Sequence, residues 1–169
     1  WALFGCSGAL ILFRRAMLED IRIGGQYFDE SYFSYGEDID LAWRAQLLGW
    51  QARYAPQAHA HHVGSGSSGG QIRFVDKAAF LQRHLLKNRY LTLVKNTTPG
   101  LAVRLLPAFL LAEPLVWLYM LMRMPWRLPY LLLALSDAVR LLPAALRWRH
   151  QVMRRRVPAG DMRQFVRWF

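Results

Sequence analysis

Apolar positions fall into two regimes along this chain. Up to about residue 55 they come as one short run and as four-residue repeats; from about residue 100 they form long blocks broken by proline and arginine. Residues 2–13 are nearly unbroken apolar sequence with a Gly/Ser break, the pattern of a buried strand or strand pair, ending where Arg14 and Arg15 emerge into solvent. Residues 15–21 suit a short helix. In 36–49, Ile39, Trp43 and Leu47 recur every four residues, the first turn is acidic, and Gly49 is placed to stop the repeat, which predicts a helix. Trp50, Ala52 and Tyr54 alternate with polar neighbours as a half-buried strand would.

Beyond residue 55 the pattern changes character. A loop rich in His, Gly and Ser covers 56–70, and either a segment that closes over a ligand or a plain connector has that composition. Residues 74–96 read as a basic amphipathic helix, with Phe80, Leu81, Leu85, Tyr90, Leu91 and Val94 set among Lys77, Arg83, Lys87, Arg89 and Lys95; that basic face is expected to meet something negative. Two apolar blocks follow, 105–122 and 128–146. The first contains Pro107, Glu113 and Pro114, the second Asp137, Arg140 and Pro143, so neither is a clean bilayer crossing, for which about 20 apolar residues are needed. Helices lying in the headgroup layer fit the flanking Arg and the aromatics Trp117, Tyr119, Trp126, Tyr130 and Trp148; a soluble helical hairpin covering the core is the other reading.

Charge sharpens the division. Residues 1–76 carry net −2 and residues 77–169 net +13, within a chain total of +11. With 169 residues, 54% hydrophobic, the chain holds one ordinary core and is not a disordered polymer. The single Cys6 excludes an internal disulfide and a multi-Cys zinc site and favours a reducing compartment. The opening Trp1-Ala-Leu-Phe has neither an initiator Met nor a charged leader, and the expectation is a C-terminal part of a longer protein. The basic pI prompts nucleic-acid binding, but the arginines sit among long Leu runs and no recognition motif appears, so nucleic acid is not expected as a partner.

Candidate chemistry concentrates in 24–44 and near residue 62. Gly24 and Gly25 permit positive φ, for close approach of a ligand or for a simple turn. Glu37 and Asp38 stand at a helix start, where a carboxylate is oriented either to accept a proton or to compensate the helix dipole. Asp38 and Asp40 do not form a metal-binding pair, because side chains two apart on a helix diverge by about 200°. Asp40 stands four residues before Arg44 and is expected to form a structural ion pair with it. Phe28, Phe33 and Trp43 are expected in the core, while Tyr32 and Tyr35 keep a polar tip for an acceptor hydroxyl. His59, His61 and His62 crowd one segment, but in extended chain they do not all face one ion, and no Cys lies nearby to complete a zinc site. No nucleophile elbow supports a serine hydrolase.

Several ordered motifs together, 8–15 (GALILFRR), 24–30 (GGQYFDE), 35–44 (YGEDIDLAWR), Gly49 and the Pro56, His62, Gly64 and Ser65 pattern, resemble the second half of family 2 glycosyltransferases, in particular bacterial rhamnosyltransferase-like members, over about residues 4–96. The resemblance implies an α/β fold, the C-terminal part of a GT-A (Rossmann-like) domain followed by amphipathic membrane-associated helices. It implies three parts: 1–70, the acceptor and catalytic half, without the nucleotide-binding half; 71–100, the basic helix; and 101–169, an apolar, basic tail. It further implies that Asp38 is the catalytic base, that Glu37, Tyr35, Gly24 and Gly25 bind the acceptor, and that His62 approaches a divalent metal, Mg or Mn. The implied partners are a nucleotide-sugar donor, a glycan or glycolipid acceptor and membrane lipid, at the cytoplasmic face of the inner membrane in synthesis of bacterial surface polysaccharide. The implied reaction inverts the anomeric carbon, and the fragment alone is expected to be inactive. The competing reading is a non-catalytic module that binds anionic lipid or lipid-linked sugar.

Overall fold

The computed structural model describes residues 3–61 and 74–158. Five helices carry the fold: α1 (Arg15–Ile21), α2 (Glu37–Leu47), α3 (Ala79–Asn96), α4 (Pro99–Arg123) and α5 (Leu128–Arg155), with single 3-10 turns at Glu30–Tyr32, Phe74–Asp76 and Pro125–Arg127. The two helices expected in the first half, 15–21 and 36–49, appear with nearly those bounds. α2 begins after Gly36, and the chain leaves it through Leu48 and a left-handed Gly49.

The expected strands do not form among the described residues. Extended backbone becomes a strand only where a neighbour takes its N–H and C=O groups. Here residues 3–13 and 50–54 meet only at one antiparallel bridge, Leu3 with Ala52, and a second bridge joins Ile23 to Gln26. The described part is therefore helical, and the α/β expectation is not met within it.

α3 is the central helix, and its neighbours occupy different sides because successive residues turn by about 100°. Leu86 packs with Met120, Met124, Leu131 and Ala134 of the α4–α5 corner. Leu91 packs with Tyr32 and Ala145. At the other end, Trp43 and Leu47 of α2 join Ile23, Leu101 and Val152, while Met17, Ile21, Leu41 and Ala45 tie α1 to α2. Arg149 of α5 donates to the carbonyls of Val94 (2.9 Å) and Thr97 (2.6 Å), satisfying acceptors left open at the end of α3. Thr98 then caps α4 and Pro99 opens it.

α4 and α5 run unbroken through Pro107, Pro114 and Pro143, longer than the apolar blocks suggest. Each internal proline removes one ladder hydrogen bond, a loss these long helices absorb. Both are long and apolar enough to cross a membrane by length and composition, yet α4 is scarcely covered by protein, with 6% of its apolar window buried against 22% for the second helix.

Candidate active site

The loop ahead of α2 is held in unusual backbone. Phe33 has φ 62° and ψ −59°, and the N–H of Ser34 donates to the carbonyl of Tyr32 at 2.7 Å, which makes Phe33 the centre of a γ-turn of the strained, positive-φ kind. Tyr35 (φ 68°) and Gly36 (φ 84°) continue it. One side chain of α3 holds this loop: the buried Asn88 amide donates to the carbonyls of Tyr32 (3.0 Å), Ser34 (2.9 Å) and Tyr35 (2.6 Å). Lys87 donates to the carbonyl of Ser31 beside it. The start of α2 is thus positioned from α3, across more than 50 residues of sequence.

Asp38 sits in the first turn of α2, half-exposed. Its Oδ2 accepts the N–H of Gly8 at 3.0 Å and its Oδ1 the N–H of Ile39 at 2.8 Å. Among the described residues it forms no ion pair. A carboxylate oriented by backbone donors and facing partly outward is available to an incoming hydroxyl. Glu37, next to it, has a buried Oε2 with no hydrogen-bond partner, an acceptor left open beside Asp38. Tyr35 turns its ring under the Lys77 ammonium, 4.5 Å from the ring centre, and its hydroxyl accepts from Lys77 at 3.1 Å.

Asp40 points the other way, into the interior. Arg44 Nε donates to its Oδ2 at 2.9 Å, with both side chains essentially inaccessible, so the pair expected from four-residue spacing is present and buried. Lys95 adds a second cation: its Nζ lies 2.9 Å from Asp40 and 2.9 Å from Asp29. Asn96 donates to Asp40 at 2.8 Å, and the Tyr32 hydroxyl bonds Thr92 at 2.8 Å. Burial pushes the Tyr32 hydroxyl far above its ordinary value, and the Asp40 carboxylate pushes it further. Burial also raises Asp29, but Lys95 and the donors at Ser31 outweigh it and hold that carboxyl below its ordinary value.

Two expectations are corrected here. Tyr32 is completely buried with its hydroxyl engaged, so it does not reach an acceptor. Phe33 is 73% exposed and Phe28 40% exposed; of the three aromatics expected in the core only Trp43 is there. The γ-turn projects Phe33 outward, where it stacks on His84 (ring centres 5.0 Å apart) and meets Phe80 edge-on at 6.2 Å. The basic face of α3 meets negative groups, as expected, and they belong to this same chain: Lys95 meets Asp29 and Asp40, Arg89 meets Glu113 and Arg83 meets Asp137, while Lys87 donates to the Ser31 carbonyl.

Gly24 and Gly25 (φ 57° and 84°) make a tight turn closed by reciprocal Ile23–Gln26 backbone bonds of 3.1 and 2.9 Å. Arg44 fastens the flanks of this turn to α2 through the carbonyls of Ile21 (2.8 Å) and Tyr27 (2.7 Å). The turn is therefore tied to the buried Asp40 side of α2, while Asp38 is tied to Gly8. His62 lies outside the described residues, and among those described no group of three His, Cys, Asp or Glu side chains converges to hold a metal ion. Asn88, Thr92 and Asn96 were not singled out by sequence reasoning, and Lys95 was read only as part of a basic helix face. Their signal was there, because Asn88, Thr92 and Asn96 recur every four residues through a helix otherwise read for its apolar and basic faces.

Asp38 thus stands at a helix start, steadied by a glycine of the preceding segment and backed by a buried ionic layer. Residues 2–148 match the family described as Glycosyl transferase family group 2, and the chain belongs to that family. It is similar to the rhamnosyltransferase WbbL of Escherichia coli strain K12, 35% identical over 91 residues, which are 52% of this chain and 32% of that protein. It is also similar to the N-acetylglucosaminyl-diphospho-decaprenol L-rhamnosyltransferase of Mycobacterium tuberculosis, 38% identical over 78 residues, 46% of this chain and 22% of that one. The chain thus matches about a third or less of the length of these relatives. No solved structure matches it.

Proposed function

We propose that this chain forms the base-bearing, acceptor-side part of an inverting GT-A glycosyltransferase, which moves a sugar from a nucleotide-sugar to a glycan or lipid-linked acceptor at the cytoplasmic face of the bacterial inner membrane. Likeness to two rhamnosyltransferases favours rhamnose as the sugar, and the decaprenol in one relative's name favours a lipid-linked acceptor. The observation that carries the reading is Asp38: half-exposed, free of any ion pair among the described residues, and aimed by the Gly8 N–H.

In this mechanism Asp38 takes the proton of the acceptor hydroxyl while that oxygen attacks the anomeric carbon from the face opposite the leaving group. The bond from the anomeric carbon to the diphosphate oxygen breaks, and the nucleoside diphosphate departs with the electron pair. Glu37, whose Oε2 has no hydrogen-bond partner, and Tyr35 orient the acceptor in this proposal; the Gly24–Gly25 turn, fastened by Arg44 on the Asp40 side of α2, takes no part in it. A divalent ion, Mg or Mn, when bound, would offset charge on the departing diphosphate; His62 is its expected ligand, and the described residues alone do not make its site.

The test is Asp38→Asn in the full-length enzyme, assayed with nucleoside-diphosphate rhamnose and membranes as the acceptor source. The rate is expected to fall by roughly 10²- to 10⁴-fold with donor binding retained. Transfer at near wild-type rate would remove Asp38 from the role. The competing reading, a non-catalytic lipid-binding module, is favoured by the uncovered apolar surface of α4; it requires that the wild-type protein bind vesicles and transfer nothing.

A further inference from the structure

We infer that α4 lies in the plane of the membrane, seated on an anionic lipid surface by its outward apolar face, and does not cross the bilayer. The inference deepens the membrane association proposed above and is independent of whether sugar is transferred.

α4 is apolar nearly all round, a composition that belongs in a protein core or in lipid. Protein covers only its inner stripe, where Leu101, Val116, Trp117 and Met120 pack on the α3–α5 body. Leu106, Leu110, Leu111, Leu115, Leu118 and Met122 on the outside are each at least half exposed. A continuous apolar face of this extent, over a helix of about 37 Å, marks a surface that something else covers.

A crossing is ruled against by how α4 is attached. Its first turn packs through Leu101 against Trp43 and Leu47, its middle is bonded through Glu113 to Arg89 and Tyr90, and its last turn packs through Met120 against Leu86. All three attachments reach α3 or the α2 region it supports, and α3 binds the loop ahead of Asp38 with Lys87, Asn88 and Lys95. If α4 spanned the roughly 30 Å hydrocarbon layer, its middle would sit about 15 Å deep and would carry α3, with its lysines and arginines, into lipid. Laid in the plane, the same helix keeps Glu113 turned inward onto Arg89. No charged residue then faces outward between Arg104 and Arg123.

The occupant is lipid because of what frames this face. Arg104 and Arg123 are exposed at its two ends, and Tyr119, Trp126 and Tyr130 are exposed around the α4–α5 corner, residues suited to the headgroup level. A second copy would bring two segments of net +13 together, whereas anionic headgroups complement that charge. Tyr90, Val94, Leu135, Val139 and Leu142 line a further apolar groove of about 220 Å³ between α3 and α5.

The experiment uses the full chain with Cys6→Ser and one new cysteine at either end of α4, Gly100→Cys or Arg123→Cys. In sealed membrane vesicles of known orientation, both are expected to react with an impermeant maleimide from the same side. Reaction from opposite sides overturns the inference in favour of a crossing. In parallel, Leu110→Glu/Leu118→Glu, both at exposed positions and checked for folding by circular dichroism, is expected to weaken flotation with phosphatidylglycerol vesicles at least ten-fold. Unchanged flotation, or equal flotation with neutral phosphatidylcholine vesicles, overturns it. A concentration-dependent dimer that the double variant abolishes would assign the face to a second copy instead. None of these readouts involves sugar transfer, so loss of the glycosyltransferase reading would leave them standing.

Discussion

Phe33 is the residue whose placement most changes the picture of the site. As an aromatic beside an acidic motif it reads as core, and no periodicity reveals otherwise, because the γ-turn that ejects it spans three residues. Its backbone conformation costs on the order of 1–3 kcal/mol, held by the Asn88 amide on the carbonyls around it. Burial gives little in return, since Phe33 is 73% exposed, and stacking on an aromatic partner contributes only about 0.5–1.5 kcal/mol. Phe33→Gly is therefore expected to change unfolding free energy by no more than about 1 kcal/mol in either direction, since Gly removes the strain as it removes the ring. A buried Phe would lose about 3–5 kcal/mol, and a loss of that size in urea unfolding would show that the ring supports the fold. Asp38 and Glu37, by contrast, were legible as a pair at a helix start, because acidic residues ahead of a four-residue apolar repeat carry a local signal.

At the scale of elements, α1 and α2 were legible in the local sequence, α2 from its four-residue spacing, whereas the strands were not, because a strand is completed by a partner that local pattern does not name. The contact between α2 and α3 was half legible. Four-residue spacing gives the Asp40–Arg44 pair, but Lys95 arrives from a helix whose basic face was expected to meet something negative, with nothing local to name Asp29 and Asp40 as the partners. In the structure Lys95 is 1% exposed, lies between Asp29 and Asp40, and is covered by the rings of Tyr32 and Trp148 at 4.6 and 4.4 Å. Lys95→Met would leave Asp29 with only the donors of Ser31, and Asp40 with Arg44, Asn96 and the more distant Tyr32 hydroxyl. Uncompensated buried charge of this kind costs about 3–5 kcal/mol, and thermal or urea unfolding is expected to show a loss in that range. The double variant Asp29→Asn/Lys95→Met removes both partners and is expected to recover part of it. A nearly neutral single variant would mean that water reaches these carboxylates.

At the scale of the molecule, an acidic first part is joined to a strongly basic second part through this buried ionic layer, and that arrangement separates the effects of salt and acid. Buried pairs are screened far less than exposed ones, so raising sodium chloride to about 1 M at neutral pH is expected to move the melting temperature little, although it weakens attraction to anionic vesicles. Acid acts on the layer itself. The Asp29 carboxyl is held below its ordinary value of 3.8 by Lys95 and by the Ser31 donors, in spite of burial. The unfolded chain therefore binds this proton more readily than the folded one, and the stabilisation is fully present above about pH 4. It is lost as pH falls through 3.8 and on through the lower folded value. Loss of the carboxylates also leaves the full positive charge of a chain with 22 Lys and Arg to repel itself. The melting temperature is expected to be flat from pH 7 to about pH 5 and to drop steeply below pH 4. In Asp29→Asn, which has no such carboxyl to protonate, the drop should be shallower. An acid limb of equal slope in wild type and Asp29→Asn would show that the ionic layer is not what joins the two parts.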